Sequence, residues 1–269
     1  MSSNGKSATD ESVSNDDSSL SISGKKIFFL YPTGSIQNQI ISELAQQEFE
    51  VYSCKNHSRL SMALKKYPDS FIFINIDEGM SIQEWERWIG EAITKQPEIN
   101  IGVFSSNTDE EFRENYIKKN RITCGFMTLK VDMSKMPEKI LEVLGAMNAK
   151  GRRKYLRTTT EREANASINM PFGGDFINGM IKDISVVGIS CSFQGNPDLK
   201  KNTLYKDIQI KLQSIILKVE AVVYGSRESG EGQKSYVMLF TQRIDPDVRV
   251  KIRKYIQNNL QNKMDSEIN

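Results

Sequence analysis

Lys150-Gly151-Arg152-Arg153-Lys154-Tyr155-Leu156-Arg157 is followed, after one hairpin's length of chain, by Asp183-Ile184-Ser185-Val186-Val187-Gly188. The first block packs five basic side chains into eight residues and contains Arg153-x-x-x-Arg157. The second closes an apolar, strand-like run with Asp-x-Ser-x-x-Gly. Each block alone has an ordinary explanation: basic runs are usually solvated surface, and Asp-x-Ser commonly makes a turn at the end of a strand. Their order and spacing give the pair its meaning within the chain around them.

After Arg157 the sequence reads as strands at 157–169, 175–184, 188–194, 205–212, 215–225 and 234–241. Turn signals fall between them at Gly173-Gly174, at Asn196-Pro197-Asp198 and from Gly225 to Gly232. Six antiparallel strands without crossover helices predict a small closed barrel. Asp245-Pro246 then starts a helix, Asp as N-cap and Pro at the first helical position, with Val248, Ile252, Tyr255, Ile256 and Leu260 on one apolar face.

The two blocks, the six-stranded barrel and the closing helix together resemble the PilZ domain, a bacterial receptor for the second messenger cyclic di-GMP. The resemblance covers about residues 150–264. It implies a ligand site made of Arg152, Arg153, Arg157, Asp183, Ser185 and Gly188. The chemistry suits these residue types. An arginine fork pairs with phosphate oxygens or with guanine O6 and N7, and its flat face stacks on a base. Aspartate accepts from the donor edge of guanine, and a serine hydroxyl serves a phosphate, a base or a turn. Gly188 allows a positive φ or a close backbone approach. In the family, an arginine at the position of Arg152 goes with two stacked nucleotides, so that stoichiometry is implied too.

From Lys25 to Leu129 short apolar strands alternate with amphipathic helices. KKIFFLY (25–31), EVYSC (50–54), SFIFINI (70–76), NIGVFSS (100–106) and TCGFMTL (123–129) read as strands, and the stretches between them have helical spacing. This predicts a flavodoxin-like α/β domain with a five-stranded parallel sheet. Its layout resembles a response-regulator receiver, but the receiver's acidic pair is replaced by Tyr31-Pro32-Thr33 and the phosphoacceptor position falls on Asn75, with Asp77 two residues on. Ser105 or Ser106 stands for the receiver's hydroxyl residue and Lys130 for its lysine, followed by Val131 in place of proline. Without the acidic pair there is no strong Mg²⁺ site, and phosphoryl transfer loses its main electrostatic stabilisation. The domain is therefore read as a pseudo-receiver.

The helix between the two domains, Ser134 to Ala149, is expected to end at Lys150-Gly151 with Gly151 as cap and hinge. The expected organisation is a disordered tail at 1–23, the pseudo-receiver at 24–149, the PilZ-like domain at 150–264 and a short tail at 265–269. The 269 residues carry 36 Lys and Arg against 34 Asp and Glu, so the net charge of +2 argues against bulk nucleic-acid binding. Three scattered cysteines without a C-x-x-C pair suggest neither a disulfide framework nor a zinc site, and the one histidine, His57, sits at a helix start without metal or acid–base partners. No run of 18 apolar residues exists.

The expectation from sequence is a cytoplasmic, non-enzymatic effector that binds cyclic di-GMP as a ligand, has no metal or cofactor, and acts on a protein target such as motor, secretion or transcription machinery. The rival reading is an adaptor with the same fold that works through protein contacts independently of nucleotide. A phosphorylated response regulator and an RNA-binding protein are disfavoured, the first by the missing acidic pair, the second by the near-neutral charge and the lack of stacking motifs.

Overall fold

The computed structural model describes residues 23–130, 133–160, 166–228 and 232–268. The tail expected at 1–23 lies, apart from Ser23, outside the described residues, as does residue 131. Five strands, β1 (Ile27–Leu30), β2 (Val51–Cys54), β3 (Phe71–Asn75), β4 (Asn100–Ser105) and β5 (Phe126–Thr128), form an all-parallel sheet in the order β2-β1-β3-β4-β5. This is the expected flavodoxin-like order. Because successive side chains point to opposite faces, Phe28, Leu30, Ile72 and Ile74 enter one core while Ile27, Phe29, Phe71 and Phe73 enter the other. The near-continuous apolar strands follow from having both faces covered.

The first face is covered by α2 (His57–Lys66), α3 (Ile82–Lys95) and α4 (Glu110–Asn120). Each starts at a polar cap: the Asn56 side chain accepts from Ser58 N and Arg59 N, Ser81 and Glu84 form a reciprocal capping box, and Asp109 accepts from Glu111 N and Phe112 N. The second face is covered by α5 (Met136–Ala146) and by α1 (Ser42–Gln46), which continues a six-residue π-helical stretch, Ile36–Ile41. The helix before the second domain ends earlier than its sequence suggests. Asn148 takes the left-handed conformation at φ 50°, Ala149 N donates to Leu144 O and Asn148 N to Gly145 O, which is a Schellman cap. Asparagine tolerates positive φ well enough to end the helix, so Gly151 is not the cap.

The second half is a closed barrel. Strands β7 (Ala166–Phe172), β8 (Asp175–Ser185), β9 (Gly188–Phe193), β12 (Lys234–Phe240), β11 (Ile215–Glu228) and β10 (Leu204–Leu212) pair antiparallel in that cyclic order, and β10 returns to β7. A short strand β6 (Arg157–Thr159) adds to β8. The single strand expected at 157–169 is thus two segments, β6 and β7, with residues 161–165 between them outside the described set. Gly173 and Gly174, at φ 65° and 89°, make the two-residue β7–β8 turn, where two consecutive positive φ values favour glycine. Gly225 is no turn: β11 runs through it to Glu228, and the pairing with β12 shifts register between Val223 and Gly225.

Helix α6 (Pro246–Glu267) starts at Asp245, whose side chain accepts from Asp247 N. Its first half packs Ile252, Tyr255 and Ile256 into the barrel core, whereas Met264 and Ile268 pack into the core of the parallel sheet, and Leu260 touches both. The tail expected from 265 is helical as far as Glu267, because that end of the helix is buried against the other half of the molecule. All three cysteines are free and buried, and burial pushes the Cys124 thiol up to about 11 and the Cys191 thiol to about 12. No described helix is long and apolar enough to cross a membrane.

Candidate ligand site

Strand register brings the two sequence blocks together. Arg157 on β6 pairs with Ser185 on β8, Ser185 with Gly188 on β9, and Gly188 with Leu239 on β12. Two residues along each strand, Thr159, Asp183, Ser190 and Val237 form a parallel row. A β-bulge between Ile181 and Asp183 resets the alternation of β8, so that Ile181 and Ile184 both enter the barrel core and Asp183 faces the same groove as Ser185. Arg157, Asp183, Ser185 and Gly188 line this open groove together with Ser190, Arg227 and Ser235. Lys182 donates to Ser235 Oγ at its edge. Cations outnumber the one carboxylate, as an anionic ligand requires.

Gly188 and Ser185 serve the turn as well as the groove. A Cβ on Gly188 would lie 2.3 Å from Met238 O, so glycine is needed for the close approach of β9 to β12. Its φ lies outside the left-handed range, so of the two reasons for glycine the close approach is the one that applies. Ser185 is buried; its hydroxyl donates to Gly188 O at 3.2 Å and holds the β8–β9 turn.

The arginine block is divided between two surfaces. Arg157 borders the barrel groove, while Arg153 lines a crevice between the barrel and the parallel-sheet half, with Gly24, Glu48, Phe49 and Tyr155. Arg152 is exposed and lines neither. The segment is tied to the first half of the chain: Lys25 N donates to Ala149 O at 2.8 Å, the Lys150 ammonium lies 4.7 Å from the Phe49 ring centre, and Leu156 N donates to Glu48 Oε2 at 3.0 Å. Glu48 Oε1 also pairs with Arg253 of α6 at 3.1 Å. Glu48 sits at φ 62°, which is strained for a side chain other than Gly, Asn or Asp and aims its carboxylate across the junction.

Sequence reasoning missed Arg227, Ser235, Ser190 and Glu48. Ser190 was within reach, since the two-residue turn between Ser185 and Gly188 sets the register back to Asp183. Arg227 was hidden by reading Gly225 as a turn. Glu48 carries no signal, because its role depends on how the two halves meet.

The receiver-like end of the first sheet is filled. Tyr31, in the left-handed region at φ 52°, lays its ring edge-on to Trp85 and its hydroxyl 3.4 Å from His57 Nδ1. A Cβ on Gly79 would lie 2.7 Å from that ring. Asn75 is buried and donates to Tyr31 O. Asp77 accepts from Ser105 Oγ and from Ser106 N, both at 2.6 Å. Partial burial raises its pKa, but these bonds, with Lys130 nearby, outweigh burial and hold the carboxyl below its usual value. Among the described residues no group of three His, Cys, Asp or Glu side chains could hold a metal ion.

No curated protein matches the chain in sequence. Among solved structures, the PilZ domain of YcgR from Escherichia coli with c-di-GMP is 13% identical over 43% of this chain and 96% of that one, at a TM-score of 0.37. MrkH from K. pneumonia in complex with c-di-GMP is 18% identical over 44% of this chain and 57% of that one, at 0.40. A response regulator from Thermotoga maritima is 15% identical over 45% of this chain and 98% of that one, at 0.39. The family match falls on the barrel and most of its helix, and residues 151–258 of this chain are a PilZ domain.

Proposed function

We propose that the protein is an effector that binds cyclic di-GMP through its PilZ domain and passes the binding event to a protein partner. One observation carries this reading: β6 pairs with β8 so that Arg157 of the basic block meets Asp183, Ser185 and Gly188 of the second block at one groove of the PilZ barrel. Arg157 and Arg227 offer guanidinium forks to phosphate or to a guanine edge, and Asp183 accepts from the donor edge. Arg153 is part of the site in this reading and closes on the ligand from the interdomain crevice. Arg152 supplies the further cation that a stacked pair of nucleotides would need. The activity is one of binding and not of catalysis, the nucleotide is a ligand and not a cofactor, and a cytoplasmic place follows from the nature of the ligand.

Titration calorimetry with cyclic di-GMP tests the reading. Saturable binding is expected, with two ligands per chain if Arg152 has its proposed role. Arg157→Ala is expected to weaken it by about 1–3 kcal/mol, roughly 5- to 150-fold. Absence of binding to the full chain would favour the rival adaptor that works through protein contacts alone.

A further inference from the structure

A second, wider groove lies between α6 and the edge of the parallel sheet. Gln37 and Gln46 line it from the first helix, Lys55 and Arg59 from the segment after β2, and Lys254 and Gln257 from α6. Lys55, Arg59 and Lys254 enter no salt bridge among the described residues. Arg253 also borders the groove but is taken by Glu48, and the one acid of the lining, Asp265, accepts from Gln261 Nε2 at 3.2 Å. The lining has no aromatic side chain on which a base could stack, which disfavours nucleic acid.

Carboxamides offer a donor and an acceptor side by side, the same pair that a peptide backbone presents. Gln261 already uses them so: its Oε1 accepts from Ser53 N at 2.9 Å and its Nε2 donates to Ser53 O at 3.1 Å, closing the free edge of β2. Cations for carboxylates and amides for a main chain describe a site for an acidic peptide.

Such a segment is tethered nearby. Ser23 and Gly24 line the crevice that holds Arg153. That crevice shares Glu48, Phe49 and Leu156 with a small apolar cleft, which in turn shares Ala45, Arg253 and Gln257 with the basic groove. Going back from Ser23, the sequence runs through Ile22 and Leu20 to Asp17 and Asp16, then to Glu11 and Asp10. Apolar residues followed by acidic ones match the order of cleft and groove. Asp17 lies six steps along the chain from Ser23; six steps span up to about 20 Å, and the stretch of α6 along the groove, Arg253 to Asp265, is about 18 Å long.

We propose that this groove binds an acidic peptide and that its occupant is residues 10–17 of the same chain. The short tether gives an effective concentration in the roughly millimolar range, so weak contacts suffice to fill the site. Seated there, the segment joins Lys55 and Arg59 beside the parallel sheet to Lys254 on the helix that closes the barrel, and so braces the arrangement of the two halves.

Zero-length carbodiimide cross-linking of the full chain, followed by peptide mapping, tests this directly, because the reagent joins carboxylates to lysines only at contact distance. Expected are links from residues 10–17 to Lys55 or Lys254, with a yield independent of protein concentration and suppressed by high salt. Arg59→Glu, an exposed change that removes no linkable group, is expected to lower that yield roughly fivefold, the scale of one exposed charge pair. Links to Lys150 or Lys154 instead, links only between two chains, no links at all, or a yield unchanged in Arg59→Glu would each overturn it.

Discussion

Gly188 and Ser185 belong to the same short turn, yet different physics acts at each. A methyl group on Gly188 meets the backbone carbonyl of Met238, which has no flexible end to move aside. Gly188→Ala is therefore expected to destabilise the barrel by about 1–3 kcal/mol, read as a lower denaturant midpoint. Ser185→Ala loses the bond to Gly188 O and should reduce stability by about 0.5–1.5 kcal/mol. Its effect on cyclic di-GMP affinity should be smaller than that of Arg157→Ala, since its hydroxyl is already engaged; equal losses in the two variants would show that the ligand takes the hydroxyl from the turn. In the parallel-sheet half, both Asp77 oxygens already accept hydrogen bonds, from Ser105 Oγ and Ser106 N. Treatment with an acyl-phosphate donor and Mg²⁺ is expected to leave the mass of the protein unchanged, and a phosphoryl adduct on Asp77 would contradict this.

Helix α6 is the element whose role changed most between sequence and structure. Its apolar residues predict a barrel lid, and Val248, Ile252, Tyr255 and Ile256 do pack against the barrel core. The apolar stripe then turns around the helix, because Met264 and Ile268 face a different partner. At that end Glu267 accepts from Lys66 Nζ at 2.6 Å and from Tyr67 OH at 2.9 Å. The bond from Lys66, outweighing a small burial effect, holds the Glu267 carboxyl below its ordinary value of 4.5. A carboxyl with a lowered folded pKa stabilises above the unfolded value and stops doing so as pH falls through the folded one. The thermal midpoints of the parent and of Glu267→Gln should therefore differ at neutral pH and converge as the pH drops below 4.5. A gap that persists through the acid range would mean that the pair acts by packing and not by charge.

Across the whole molecule, the junction is made by Glu48 with Leu156 and Arg253, by Gln261 with Ser53, and by the far end of α6. Glu48 and Arg153 line the same crevice, so a ligand phosphate drawn to Arg153 would meet the carboxylate that now holds Leu156 N and Arg253. Binding is expected to loosen that contact and reorient the halves. A coupling of about 1–3 kcal/mol is the usual scale, set by the ligand's differential affinity for the two arrangements. Small-angle scattering with and without cyclic di-GMP, and protease cleavage near residues 150–154, should both change. If neither changes at saturation, the output must come from a surface made by the nucleotide itself.

The sequence alone determined what is periodic or local: alternating apolar strands and helices for the parallel sheet, six strands and a closing helix for the barrel, the Gly173-Gly174 turn, and the two motif blocks that the β6–β8 register joins. Only the tertiary structure decided what depends on contacts between distant segments. It showed that Asn148 ends the helix because Leu144 and Gly145 carbonyls find donors there, that β11 continues past Gly225 and brings in Arg227, and that the end of α6 is a shared wall. The physical reason is the range of the forces involved. Side-chain alternation and turn preference act over a few residues and are written in the order of the chain. The 2.3 Å approach at Gly188 and the reach of Glu48 to Arg253 exist only once strands and helices far apart in sequence have packed together.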